Sequence, residues 1–118
     1  MKRPTTIISD IDGTLIRHNG SLDAQIFKEP ELLPGVREKF NEWDIKGYNI
    51  ILITGRRESL RDLTELQLKN LGIFYDQLIM GVGGGPRVLI NDLKTNSNEP
   101  TAVAVNLVRN KGIGDIDV

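Results

Sequence analysis

Short runs of β-branched and aliphatic residues alternate with helix-patterned segments along this chain, and that alternation constrains the fold most. Thr5-Thr6-Ile7-Ile8 reads as a buried strand ending at Asp10, and YNIILIT (48–54) is the clearest strand in the chain. Between them a helix begins at Pro34, with Val36, Phe40 and Trp43 at i, i+4 and i+7, and Gly47 stands where a C-terminal cap belongs. A second helix is predicted over about 57–71. Leu60, Leu63, Leu68 and Leu71 fall on one broad face, Leu66 lies off it, and Gly72 ends it. Residues 76–80 (DQLIM), 87–91 (RVLIN) and 101–105 (TAVAV) are three more short strand candidates. Residues 17–34, with Asn19-Gly20 and two prolines, read as a loop. Such an order implies right-handed βαβ units and a mostly parallel sheet covered on both faces. With 118 residues and no linker, one α/β domain over 1–118 is expected.

Composition removes several functions. A net charge of −1, no basic cluster and 5% aromatic residues give no electrostatic footprint of a nucleic-acid binder, so nucleic acid is an unlikely partner. No cysteine is present, which excludes disulfides, thiolate metal sites and a cysteine nucleophile. MKRPTTIISD reaches charge before a long apolar run can build, so neither a signal peptide nor a membrane span is expected, and a soluble cytoplasmic protein follows as the default.

In parallel α/β sheets, sites form beyond the carboxyl ends of the strands. Three polar clusters converge on that edge: Asp10 and Asp12 after the first strand, Thr54-Gly55-Arg56 after the second, and Asn91-Asp92 after RVLIN. Two aspartates this close repel, and Mg²⁺ is suited to neutralise them. It takes oxygen ligands and keeps several waters, so two carboxylates, from Asp10 and Asp92, and a backbone carbonyl are sufficient. One aspartate is then free to attack a phosphoryl group, and the other to act as acid and base. A threonine hydroxyl and N–H groups at a helix start suit phosphate oxygens.

The arrangement resembles the haloacid dehalogenase superfamily of phosphotransferases. DIDGT (10–14) matches its D-x-D-x-T motif, ILITGR (51–56) its strand ending in Thr or Ser, and RVLIND (87–92) its strand followed by an acid. The resemblance spans about residues 5–106 and implies a Rossmann-like three-layer sandwich. It implies that Asp10 is the nucleophile forming an aspartyl-phosphate, Asp12 the acid/base, and Thr54, with Gly55 and Arg56, the holder of the transferring phosphate. Mg²⁺ would sit on the Asp10 carboxylate, the Asp12 carbonyl and Asp92.

That family's basic motif is missing, because GVGGGPR stands where G-K-P is common and no lysine lies between Lys69 and Lys94. Lys94, two residues past Asp92, is the favoured replacement. Arg56 is second, Lys69 is expected to face solvent, and Arg87, opening its strand, is expected at the end away from the site. The glycines at 81 and 83–85 fit no nucleotide motif and read as a connector. His18, a lone loop histidine, is expected to be solvated. No cap domain fits between the motifs, so either a bulky substrate or a second copy of the chain would cover the site. The expected function is a Mg²⁺-dependent phosphatase for a phosphorylated small molecule, such as a sugar phosphate. A non-catalytic module binding Mg²⁺ and a phosphorylated ligand stays open as the alternative.

Overall fold

The computed structural model describes residues 3–118. Its centre is a three-stranded, all-parallel sheet of β1 (Thr6–Asp10), β2 (Asn49–Ile53) and β3 (Gln77–Ile79), in the order β1-β2-β3. Thr6 stands opposite Asn49 and Asp10 opposite Ile53, while Ile51 stands opposite Gln77. The crossovers run through α1 (Leu22–Phe27) and α2 (Val36–Ile45), then through a single 3-10 turn (Glu58–Leu60) and α3 (Arg61–Asn70). The α/β class and parallel pairing follow from the alternation seen in the sequence, since parallel neighbours need a crossover.

Both long helices end where glycine permits it. Gly47 and Gly72 have φ of 74° and 76°. At each, the glycine N–H returns to the carbonyl three residues back, and the next N–H reaches back five, as Tyr48 to Trp43 and Ile73 to Leu68. This is the Schellman arrangement, which satisfies the last carbonyls of a helix. The α2 stripe is as patterned: Val36, Phe40 and Trp43 are all buried. In α3 the buried residues are Thr64, Gln67 and Leu68, and Leu66 is exposed as expected. The core joins Ile50, Leu52 and Leu78 of the sheet to these helices and to Ile11, Leu15, Ile16 and Ile113.

Three expectations are corrected. Residues 22–27 within the anticipated loop form α1, because Ser21 Oγ accepts the Ala24 N–H at 3.1 Å and caps its start. RVLIN and TAVAV are not strands, and beyond Ile79 the described chain carries no helix or strand. Val88 is 81% and Ile90 89% exposed, so the pleated, half-buried surface that gives such residues their strand preference is missing. The sheet is not covered evenly. The face carrying Ile50, Leu52 and Leu78 is buried, while Ile8 and Ile79, on the other, stay exposed.

The irregular C-terminal segment is nonetheless fastened. Ile113 is buried, and its N–H donates to Pro34 O at 3.1 Å. Gly112 has φ of 90°, and a Cβ there would come within 2.2 Å of the Pro34 carbonyl oxygen. Gly112→Ala is therefore expected to lower stability by more than about 1 kcal/mol, since it combines a backbone clash with a left-handed φ. Gly83→Ala, which would meet nothing within 4 Å, serves as the near-neutral control. Chemical denaturation of both variants measures the difference.

Candidate functional site

Asp10 closes β1 and Asp12 follows in a tight turn. Three successive amides, of Thr14, Leu15 and Ile16, converge on the Ile11 carbonyl, and Gly13 N–H donates to Ile16 O at 2.7 Å. Gly13 adopts φ of 92°, and the aliphatic part of Arg109 lies against it. The turn is thus fixed by its own backbone, which presents the two aspartates at the carboxyl end of the strand.

The two carboxylates have different surroundings. Both Asp12 oxygens are taken by Arg56, with Nη2 at 2.8 Å from Oδ1 and Nε at 2.9 Å from Oδ2. The pair is buried, with side-chain exposures of 3% for Arg56 and 15% for Asp12. Arg56 Nη1 also donates to Thr64 Oγ1 at 3.2 Å and to Gln67 Oε1 at 2.6 Å. Asp10 is one-third exposed, and its nearest cation is Arg87, with Nη1 at 3.5 Å from Oδ1. Burial pushes the Asp10 carboxyl above the usual range and the neighbouring Asp12 charge adds to the rise. The Ile11 N–H and the Arg87 guanidinium oppose it.

The remaining sequence-predicted residues are dispersed. Thr54 is buried, and its hydroxyl accepts the Arg56 N–H at 3.0 Å. Gly55 is exposed, and Arg56 O and Thr54 O accept the Gly81 and Val82 amides, so the glycine connector starts alongside this turn. Asp92 and Lys94 lie on the exposed irregular segment. The Asp92 carbonyl accepts the Thr101 hydroxyl at 2.5 Å. Among the described residues, no three His, Cys, Asp or Glu side chains gather as a metal-holding group, so Asp92 does not join the two aspartates in a carboxylate cluster. The donors present at the turn are oxygens, which fits a hard cation that keeps most of its waters.

One expectation is reversed. Arg87 was expected at the far end of a strand, yet with no strand formed it turns back to Asp10. Sequence reasoning also missed that Arg56 binds Asp12, and it missed Asn110. The Asn110 N–H donates to Gly13 O at 2.8 Å, and its Oδ1 accepts the His18 N–H at 2.7 Å. The only local signal was asparagine's tolerance of left-handed backbone, used here at φ of 64°.

No protein-family model matches this chain, and no curated protein is similar to it. Solved structures are. A chain of the Pnkp1/Rnl/Hen1 complex is 32% identical with a TM-score of 0.59, over 72% of this chain and 30% of that one. A chain of the Pnkp1/Rnl/Hen1 RNA repair complex is 34% identical with a TM-score of 0.57, over 65% of this chain and 25% of that one. The present chain thus spans less than a third of either. A crystal structure of a target protein from Vibrio cholerae, 20% identical with a TM-score of 0.53 over 74% of this chain and 79% of that one, shares the fold alone. These findings overturn the assignment to the haloacid dehalogenase superfamily, for which no model match exists and which none of these descriptions names. The strand supposed to carry its last acidic motif is also not formed.

Two outcomes follow from the geometry. Arg56→Ala strips a buried carboxylate of its counter-ion and leaves Thr64 and Gln67 without their donor. It is expected to cost on the order of 3–5 kcal/mol in denaturant unfolding. For Asp10, the raised folded-state value means that the folded protein binds the proton more tightly than the unfolded chain, whose value is 3.8. Ionised Asp10 therefore lowers stability once pH exceeds that range. Asp10→Asn is expected to raise Tm at neutral pH, with the gain shrinking as pH falls to 3.8 and below. A gain that is absent at neutral pH, or that grows on acidification, would contradict this.

Proposed function

We propose that this chain hydrolyses a phosphomonoester through an aspartyl-phosphate on Asp10, as a phosphatase domain in a soluble cytoplasmic setting. The observation that supports it is the asymmetry of the two aspartates: one committed to a buried guanidinium, the other partly open beside a second guanidinium. Asp10 attacks phosphorus, the bond to the leaving oxygen breaks, and that oxygen takes up a proton. Water then attacks the phosphoryl group, releasing inorganic phosphate and restoring the Asp10 carboxylate. Arg87 stands where negative charge accumulates, and such preorganised charge is commonly the largest catalytic contribution. Asp12 can serve as acid and base once one of its oxygens leaves Arg56, which keeps Thr64 and Gln67 as partners.

Mg²⁺, when bound, would neutralise the phosphoryl oxygens and be held by the Asp10 carboxylate and the Asp12 carbonyl, with Asp92 as a further candidate. Thr54 and Gly55 would approach the phosphoryl group. The finer architecture, a Rossmann-like three-layer sandwich whose site a second copy could cover, belongs to the same proposal.

Phosphorylated small molecules, sugar phosphates among them, are the first substrate class. A second, the phosphorylated end of an RNA, is favoured by the 32–34% identity to chains of the RNA repair complexes. Turnover of p-nitrophenyl phosphate with and without Mg²⁺ tests the reading. Activity is expected to require Mg²⁺ and to vanish in Asp10→Asn. Arg87→Ala is expected to lower kcat by on the order of 10²-fold or more, and Lys94→Ala far less. Full activity in folded Asp10→Asn would refute the mechanism. Wild-type protein that binds Mg²⁺ and phosphate without turnover would instead indicate the non-catalytic module.

A further inference from the structure

Asn19-Gly20, in the loop that forms a wall beside Asp12, is the only Asn-Gly step in the chain. An asparagine carboxamide can be attacked at Cγ by the backbone nitrogen of the next residue, and glycine hinders that nitrogen least because it has no Cβ. Gly20 is exposed, has φ of 87°, and has nothing within 4 Å of where a Cβ would stand. Asn19 is half-buried, and its Nδ2 donates to Arg17 O at the long distance of 3.4 Å. The carboxamide is lightly held and the amide after it is sterically open.

A base stands beside that amide. The Gly20 N–H donates to His18 Nδ1 at 3.1 Å, within the reach that general-base catalysis needs. An accepting Nδ1 assigns the ring proton to Nε2, so Nδ1 is the nitrogen able to receive a proton. The fold places this base. Asn110 accepts the His18 N–H at 2.7 Å and donates to His18 O at 3.4 Å. On the far side, Ser21 is fixed as the cap of α1. Asn19 and Gly20 are the two positions between these anchors.

We propose that Asn19 is a self-modification site, at which the folded protein deamidates its own loop with His18 as the base. Nδ1 takes the Gly20 amide proton as that nitrogen attacks Asn19 Cγ. The new N–C bond closes a succinimide ring, the Cγ–Nδ2 bond breaks, and the imidazolium returns the proton as the nitrogen departs as ammonia. Water then opens the ring. Breaking the new N–C bond leaves aspartate at position 19, and breaking the original backbone C–N bond leaves isoaspartate. Either product adds a carboxylate to the small recess that Asn19 shares with Asp12. Isoaspartate also lengthens the backbone by one carbon between His18 and Ser21, which are both held in place.

The test is incubation of the whole protein at neutral pH, followed by peptide mapping with mass spectrometry. Aspartate and isoaspartate are both expected at position 19. The folded protein is expected to react faster than the same chain held unfolded in guanidinium chloride, because only the fold holds His18 on the Gly20 amide. His18→Ala keeps the backbone clamp to Asn110 and the Cβ that lies near Gly13. It should slow the reaction by about tenfold or more with Tm unchanged, since a positioned base is lost. His18→Gln should do the same. Three results overturn the proposal: a folded rate at or below the unfolded one, aspartate without isoaspartate, or a folded His18 variant reacting at the wild-type rate. If neither variant folds, the folded-to-unfolded rate ratio of the wild-type protein decides. None of these readouts depends on phosphatase activity.

Discussion

The buried ion pair between Arg56 and Asp12 is the interaction on which the arrangement of the site depends. It joins the turn after β1 to the turn after β2, and through Thr64 and Gln67 it reaches α3. Gln67 in turn donates to the Gln25 carbonyl at 2.8 Å and brings in α1. Four elements distant in sequence are thus registered by one guanidinium whose donors are nearly all used. Arginine suits this position because its planar fork meets a carboxylate at two points and still has a nitrogen for neutral acceptors. A lysine could not span the same partners. The stabilisation is modest beside the desolvation both ions undergo, so the value of the pair lies in fixing geometry.

Against that fixed pair, Asp10 is the less comfortable residue. It ends a strand, keeps part of its surface in solvent, and is raised by burial while lying near a second carboxylate. Groups left in such surroundings are over-represented where chemistry occurs. Arg87 offsets some of the cost from a segment with no regular structure, so its position depends on a few contacts rather than on a ladder of backbone bonds. One aspartate is held by a guanidinium that Thr64 and Gln67 fix in turn, and the other is met by a single, partly exposed cation.

Much of the scaffold was legible in the residues themselves. The β2 run, the helix stripe of Val36, Phe40 and Trp43, and the glycines at 47 and 72 carried local signals strong enough to locate elements, because apolar period and backbone sterics act over a few residues. Asp10 and Asp12 were legible as a pair for the same reason. What failed was everything decided at a distance. RVLIN and TAVAV have strand composition, but strand formation needs a neighbouring surface, and none covers Val88 or Ile90. Arg56 looked like a phosphate ligand because its position follows a strand end, yet its partner 44 residues away could not be inferred from spacing. Arg87 was misplaced because its location was deduced from a strand that does not form. The six residues of α1 fell below the length at which helical periodicity stands out.

The contact between Gly13 and Asn110 has a consequence for the order in which the molecule is built. The backbone bonds of the aspartate turn to Ile11 and Ile16 are local enough to close at once. Its remaining anchor is made much later, and the loop that must close between His18 and Asn110 spans 92 positions. Closure over such a separation carries a large entropic cost that local contacts cannot offset early. A growing or shortened chain can therefore hold the sheet, the helices and the Arg56 pair while the wall beside Asp12 is still unfastened. The aspartate turn is made well before the contact that completes its geometry.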